Sequence, residues 1–149
     1  MTLLPNTYLV AQAWLRLAVP GPRVGDILPA ADDALRTDGF LLPRIFPGAI
    51  GRYVPLRSPV VTVECWVAPP VGGSPQPPWN HAAQLAELVI AATYDRALTN
   101  VLIDLSAVGG YALARVLTSY AVGDPQRMPN DPGGFARYDV DISLTWRAA

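Results

Sequence analysis

The C-terminal part of the chain alternates regularly between two kinds of side chain. One parity consists of Ala136, Tyr138, Val140, Ile142, Leu144 and Trp146. The other consists of Phe135, Arg137, Asp139, Asp141, Ser143, Thr145 and Arg147. Side chains of a β-strand point alternately to opposite faces, so this run predicts a strand with one buried and one open face. The chain must therefore build a sheet whose apolar side is covered by other elements.

A second alternating segment predicts another strand, from about Pro59 to Ala68. Val61, Val63, Cys65 and Val67 form its apolar parity, and Thr62, Glu64 and Trp66 form the opposite one. Cys65 lies among the valines, which is typical of a small core residue rather than a nucleophile.

The remaining strands are less regular. Residues 39–51 are apolar but contain Pro43 and Pro47, which favours an edge strand because proline cannot donate to a ladder. Residues 101–107 predict a short strand or an extended segment, and residues 111–122 are rich in β-forming side chains. Together with the C-terminal strand, residues 111–122 predict an antiparallel hairpin with an extended loop at 123–134, with Arg127 and Met128 at its tip. A loop of that length is usually functional or mobile.

Two segments predict helices that cover the apolar face. Asn6 or Thr7 can cap a helix that ends near Ala18, before Pro20. Asn80 is expected to cap a second, alanine-rich helix that follows a proline-rich connector at about residues 69–79. Between these, residues 26–35 allow one short helical turn.

The sum is an α+β fold in a single domain of residues 1–149. Three or four antiparallel strands are expected to pack against two helices, since 51% hydrophobic content supports a real core.

Charge and composition exclude several function classes. The net charge is −1, and all eleven basic residues are arginine, so long-range attraction to nucleic acid or anionic lipid is not indicated. One cysteine and one histidine are too few for an internal disulfide or a Cys/His metal site. The N-terminus does not resemble a signal peptide, and no apolar stretch is long enough for a membrane span. We expect no cofactor, no metal and no membrane partner.

The sharpest enzyme hypothesis is a small hydrolase that uses Asp139 and Asp141 as a carboxylate pair. Such a pair needs a cleft and two different environments. Arg137 and Thr145 continue the same face, which instead indicates a solvated or interface surface. Phosphate-binding loops and a nucleophile elbow are absent from the sequence. We therefore expect a protein that is not an enzyme.

An assembly role fits a small, nearly neutral chain with a long hairpin loop and a proline-rich arm, although both segments could equally be plain surface. The candidate interface residues are the charged or exposed side chains of the loop and the final strand. They are Asp124, Arg127, Met128, Asp131, Arg137, Asp139, Asp141 and Arg147.

Several motifs recur in order along the chain. They are the N-terminal helix with Trp14-Leu15 and the PRVGD bend at 22–26, the strand SPVVTVECWVAPP, the helix start PPWNHAAQLAELVIAATYD, and the C-terminal GGY, P-x-R-x-P-x-D-P and ARY elements. Over nearly its whole length the chain resembles the tail terminator proteins of long-tailed phages (siphophages), especially those that infect actinobacteria.

The resemblance implies a ring-forming structural subunit of the virion. Such a protein forms a homohexameric ring that caps the tail tube, ends tube polymerisation and offers a surface for joining the head. Its implied partners are copies of itself, the major tail tube protein and the head–tail connector or head-closure protein. Genomic DNA would pass through the lumen only as cargo. The implied location is the tail or neck of the virion, after assembly in the host cytoplasm. Another neck protein, a head-closure or tail-completion subunit, is the alternative.

Overall fold

The computed structural model describes residues 3–46, 48, 56–72, 76–129 and 133–149. Its helices are α1 (Thr7–Ala18), α2 (Asp33–Thr37) and α3 (Trp79–Thr93). Its strands are β1 (Arg23–Val24), β2 (Phe40–Phe46), β3 (Val60–Val67), β4 (Val101–Ile103), β5 (Ala114–Ala121), β6 (Gln126–Met128) and β7 (Ala136–Ala148). Two single turns of 3₁₀ helix lie at Arg96–Leu98 and Ser106–Val108.

Within the described residues the strands form one sheet in the order β1-β2-β3-β7-β5-β4, and β6 also pairs with β7. The pairings are antiparallel except for the short parallel contact of β1 with β2. This mixed α/β arrangement agrees with the predicted α+β class. The predicted number of three or four strands was wrong, because the described part of the chain forms a sheet of seven strands. β1, β4 and β6 have two or three residues each and show no sequence periodicity.

The alternating C-terminal run forms the central strand β7, as its pattern predicts. Val140 lies opposite Val63 of β3, and Trp146 lies opposite Val116 of β5. Val140, Ile142, Leu144 and Trp146 are buried with the valines of β3 and with Cys65. They face α1 and α3, which together cover one side of the sheet. We call this side the helix face and the opposite side the open face.

The two predicted covering helices are both present. Asn6 caps α1, because its side-chain oxygen accepts a hydrogen bond from the amide of Leu9 at 2.9 Å. The predicted cap of α3 was wrong: that helix begins at Trp79, and Pro78 occupies the cap position without a side-chain hydrogen bond. Proline suits a helix start because its fixed φ is compatible with the first turn.

A smaller apolar cluster lies on the open face at one end of the sheet. Leu35 of α2 packs there with Phe40 and Ala68, and Trp66 and Phe135 lie against them. Asp32 caps α2 by accepting from the amide of Leu35 at 2.8 Å. A short helix was expected within residues 26–35, and the observed one overlaps the end of that segment at Asp33–Thr37.

The predicted hairpin between β5 and β7 is present, but part of its predicted loop, Gln126–Met128, is a strand that pairs with β7. After β5 the chain bulges at residues 122–125, and β6 then pairs with β7 through Gln126 opposite Asp139 and Met128 opposite Arg137. β5 and β6 therefore line the same edge of β7 as one interrupted strand. The prediction that Arg127 and Met128 lie at a protruding tip was wrong, because backbone pairing holds both against β7.

Across the part of the chain that the structure describes, none of the helices has the length and apolar character needed to cross a bilayer.

Candidate functional site

Four charged side chains from three strands form a compact cluster on the open face. Arg44 of β2 and Arg137 of β7 contact Glu64 of β3 and Asp139 of β7. Arg137 donates to both oxygens of Asp139 at 2.8 Å, and Arg44 reaches the same carboxylate at 3.3 Å. Glu64 pairs with Arg44 and, at 3.4 Å, with Arg137. We call these four residues the ion cluster.

The sheet register explains why the cluster forms. Asp139 lies directly opposite Glu64, so two like charges meet on adjacent strands. Such a pair is unfavourable alone, and the two arginines neutralise it. The carboxylates are nearly inaccessible, with side chains 7% exposed for Glu64 and 10% for Asp139. Two positive and two negative charges leave the cluster neutral.

Trp66 seals one side of the ion cluster. Its indole nitrogen donates to Glu64 at 3.0 Å, and the guanidinium of Arg137 lies 5.2 Å from the centre of its ring. Phe135 meets the same ring edge to face at 6.0 Å. The cluster is thus bounded by aromatic side chains, which lowers its contact with water and strengthens its internal interactions.

Asp139 and Asp141 do not share an environment, although they lie two residues apart on one face. Asp139 is buried in the ion cluster, whereas Asp141 is exposed and accepts a hydrogen bond from Thr62 at 2.6 Å. The expectation that both mark the solvated side of the sheet was wrong for Asp139, because arginines from β2 and β7 cover it. Each carboxylate has its own partner, and neither is directed at the other.

A groove of about 490 Å³ lies beside Asp141 on the open face. Its floor contains Thr62, Asp139 and Asp141. Phe46 bounds it on the β2 side, and the bulge and β6 bound it on the other. The lining residues from that second side are Val122, Gly123, Asp124, Pro125, Gln126 and Met128. Two of the predicted interface residues, Asp124 and Met128, therefore meet Asp141 around one concave surface. We call it the acidic groove.

The predicted residue Arg127 faces the other way. It lies opposite Tyr138, on the helix face, and its guanidinium stacks 3.9 Å above the ring centre of Trp79. Trp79 in turn meets Tyr138 edge to face at 6.3 Å. This stack ties β6 to the first turn of α3, so Arg127 holds the edge of the sheet rather than lining the groove.

The last predicted residue of the strand, Arg147, lies at the far end of the open face. It is directly opposite Arg115 of β5. Arg115 donates to the carbonyl of Asn100 at 2.9 Å, and Arg147 has a weak contact of 3.4 Å with the carbonyl of Ala148. We call Arg115 and Arg147 the arginine pair. Asp131, the remaining predicted residue, lies outside the described residues.

Cys65 has no features of a nucleophile. It is fully buried on the helix face, and burial, followed by the nearby charges of Asp139 and Glu64, raises the pKa of its thiol far above the ordinary value. The thiol is therefore protonated at neutral pH. Among the described residues, no group of three or more histidine, cysteine or acidic side chains is arranged to hold a metal ion.

Sequence reasoning missed the partners from other strands, namely Arg44, Thr62, Glu64, Trp66 and Arg115. One signal was present: Glu64 stands among valines on a strand that must be central, and a charge in that position requires an opposite charge. Which residue supplies that opposite charge depends on the pairing register of the strands, and the register cannot be read from the sequence.

No protein-family model matches this chain, and no curated protein is significantly similar to it.

Proposed function

We propose that this chain is a structural subunit that assembles with copies of itself into a closed ring, and that the ring is the terminator of a phage tail tube. The observation that carries the proposal is how charge is distributed on the open face. Arginines neutralise Glu64 and Asp139 within the subunit, whereas Asp141 and the apolar side chains of Phe46 and Val122 on the same face stay exposed. The more specific part of the proposal, a ring that caps a tail tube, rests on the resemblance of the sequence to tail terminators.

The state of Asp139 favours a structural role over a hydrolase. A carboxylate that acts as nucleophile or general base must reach a substrate atom. Both oxygens of Asp139 accept hydrogen bonds from Arg137, and one is also held by Arg44. Of the carboxylate pair predicted from the sequence, Asp141 remains accessible and Asp139 does not, so that pair lacks one of the two members that acid–base chemistry needs.

The exposed side chains of the open face support an assembly role. Three large apolar side chains, those of Phe46, Tyr120 and Val122, are 55%, 58% and 53% exposed. Phe46 and Val122 line the acidic groove, and Tyr120 lies on β5. Large apolar side chains grouped on one face are typical of a surface that a partner covers. Leu88 and Tyr94 are also exposed, but they lie on and just after α3.

The free edge of β2 argues for contacts through the open face rather than through strand addition at that edge. β1 pairs only with Phe40 and Leu41, and no described residue pairs with the outer side of β2 beyond them. Pro43 and Arg44 stand there, and proline and charge on an edge strand discourage pairing with another chain.

A closed ring explains how such a subunit would end a tube. Head-to-tail contacts between unlike patches close into a ring when the rotation between copies allows it. All lateral contacts are then used within one layer. One end of the ring would match the tube subunit, and the opposite end would not accept another and would be free for the connector or head-closure protein.

Electron microscopy of the purified protein mixed with its major tail tube protein tests this proposal. We expect six-fold rings, and caps on tubes whose mean length falls as the protein is added. The control is the tube protein alone. A protein that stays monomeric by native mass spectrometry, forms no caps and leaves tube length unchanged would overturn the proposal.

A further inference from the structure

The arginine pair is an unsatisfied feature of the open face. Arg115 and Arg147 occupy directly opposed positions on β5 and β7, where like charges destabilise a sheet. The ion cluster places arginines against carboxylates, but no carboxylate among the described residues forms an ion pair with either member of the arginine pair. Their hydrogen bonds go to backbone carbonyls instead. Two cations are therefore held side by side without a counter-charge from the described part of the subunit.

The acidic groove has the opposite imbalance. Asp124 and Asp141 are exposed at its rim and floor, and no described arginine forms an ion pair with either. Its apolar walls, Phe46 and Val122, are more than half exposed. A groove with apolar walls and carboxylates that lack an arginine partner suits an arginine side chain, whose stem packs on apolar surface while its planar head pairs with carboxylate oxygens.

The two features lie on one face but too far apart to meet within a subunit. Asp141 and Arg147 have the same parity on β7 and are separated by six residues, or roughly 20 Å of strand. A contact between them must therefore join two molecules. We propose that the arginine pair of one copy docks in the acidic groove of the next copy. This inference rests on the proposed ring and names the contact that closes it.

The contact is head to tail because donor and acceptor are different patches. Each copy then gives its arginine pair to one neighbour and receives the pair of another, as a cyclic assembly requires. Docking also places a counter-charge beside Arg115 and Arg147, which removes the repulsion that each isolated subunit carries. We expect the assembly to weaken as salt rises, because exposed charges at the contact are screened.

Cross-linking of a variant with two added cysteines tests the contact. Gly123 borders the acidic groove, and a side chain added there meets nothing within 4 Å. Ala149 is exposed and lies two residues after Arg147. In the variant Gly123→Cys/Ala149→Cys the two thiols are roughly 25 Å apart along the sheet, so a short bismaleimide cannot join them within one copy. Cys65 is buried and does not compete.

We expect this variant to give a ladder of covalent oligomers up to the full ring. Adding Arg115→Glu and Arg147→Glu should remove the ladder, while Arg96→Glu, at another exposed arginine without an ion pair, should leave it intact. Adding Asp124→Arg and Asp141→Arg should also remove it. Mixing the two charge-reversed proteins should restore it, since each then offers the charge that the other lacks. Circular dichroism verifies that every variant is folded.

The remaining outcomes overturn the contact in distinguishable ways. Cross-linked dimers without higher species would show a two-fold contact instead of a head-to-tail one. A ladder that survives reversal of the arginine pair would leave the proposed ring standing and assign its contact to another surface. If the arginine pair were instead required for duplex DNA binding, with the ladder unchanged, its partner would be DNA. Failure of the wild-type protein to form rings or tube caps would overturn the proposed function itself.

Discussion

The ion cluster and the acidic groove lie next to each other on the same face of the sheet, but the carboxylates of the cluster are paired with arginines and those of the groove are not. In the cluster, the buried side chains of Glu64 and Asp139 each contact both Arg44 and Arg137. In the groove, Asp124 and Asp141 are exposed and lack such partners among the described residues. Charges that are neutralised within the subunit therefore stabilise it, whereas exposed charges without an ion pair are available to another molecule.

The largest expected effect comes from breaking the cluster. Asp139→Ala leaves two arginines of the ion cluster, Arg44 and Arg137, beside the single carboxylate of Glu64. We expect a loss of about 3 kcal/mol in the free energy of unfolding, because removing one member of a buried charge network leaves an uncompensated charge. Urea denaturation measures the loss.

Asp141→Ala is the matched control, with the same residue type two positions away on the same face. It removes one hydrogen bond at an exposed site, from Thr62, and should cost about 1 kcal/mol or less. Equal losses for the two variants would contradict the distinction between cluster and groove.

A smaller effect is expected at the stack that holds β6 beside the groove. Arg127→Ala removes the guanidinium from the face of Trp79 and should cost about 1 kcal/mol. Hydrogen exchange should become faster at the amides of residues 126–128, with little change in β3. Arg96→Ala, at an exposed arginine that stacks on none of the described aromatic rings, serves as the control. Unchanged exchange in β6 would show that backbone pairing alone fixes the groove wall.

The arginine pair should respond with the opposite sign. Arg147→Thr removes the repulsion with Arg115, and we expect the isolated subunit to become more stable by roughly 0.5 kcal/mol at low salt. The gain should shrink as salt is added. Thermal unfolding of dilute protein measures it. A loss of stability at every salt concentration would mean that Arg147 supports its own subunit, and would remove the argument that it awaits a partner.

The smallest effect concerns an exposed ion pair outside both regions. The amide of Leu35, and then Arg23, lower the pKa of Asp32 below its ordinary value. Because the folded-state pKa lies below the unfolded one, this contribution is complete above the unfolded pKa of about 4 and is lost as pH falls through the folded value. Asp32→Asn should therefore flatten a small acid-side slope in urea midpoints. An unchanged slope would contradict this cause.

The sequence predicts the elements that have a strong period. β3 and β7 follow from their alternation, and α1 follows from Asn6 and the apolar positions after it. β1 and β6 were not predictable in this way, because two or three residues carry no period, whereas β4 lies inside the segment predicted at residues 101–107. β6 was hidden for a further reason: its residues stand between prolines and glycines, which indicate a loop, and only pairing with β7 makes them a strand.

The sequence predicts the residues that β7 contributes to the candidate site, but not the partners that come from other strands. Asp139, Asp141 and Arg147 are visible in one alternating run, and their shared face follows from the strand period. Their neighbours come from strands far away in the chain, such as Arg44, 95 residues before Asp139. A shift of one residue in register would exchange every such neighbour. Burial of Asp139, and with it the division of the face into two regions, therefore required the structure.

Native mass spectrometry of the wild-type protein at low salt, beside the variant Arg115→Glu/Arg147→Glu, tests the central claim most directly. We expect a closed ring of six copies for the wild type, and folded monomers for the variant. A wild type that remains monomeric at every concentration, or a variant that forms the same ring, would contradict the claim that the unpaired charges of the open face join one copy to the next.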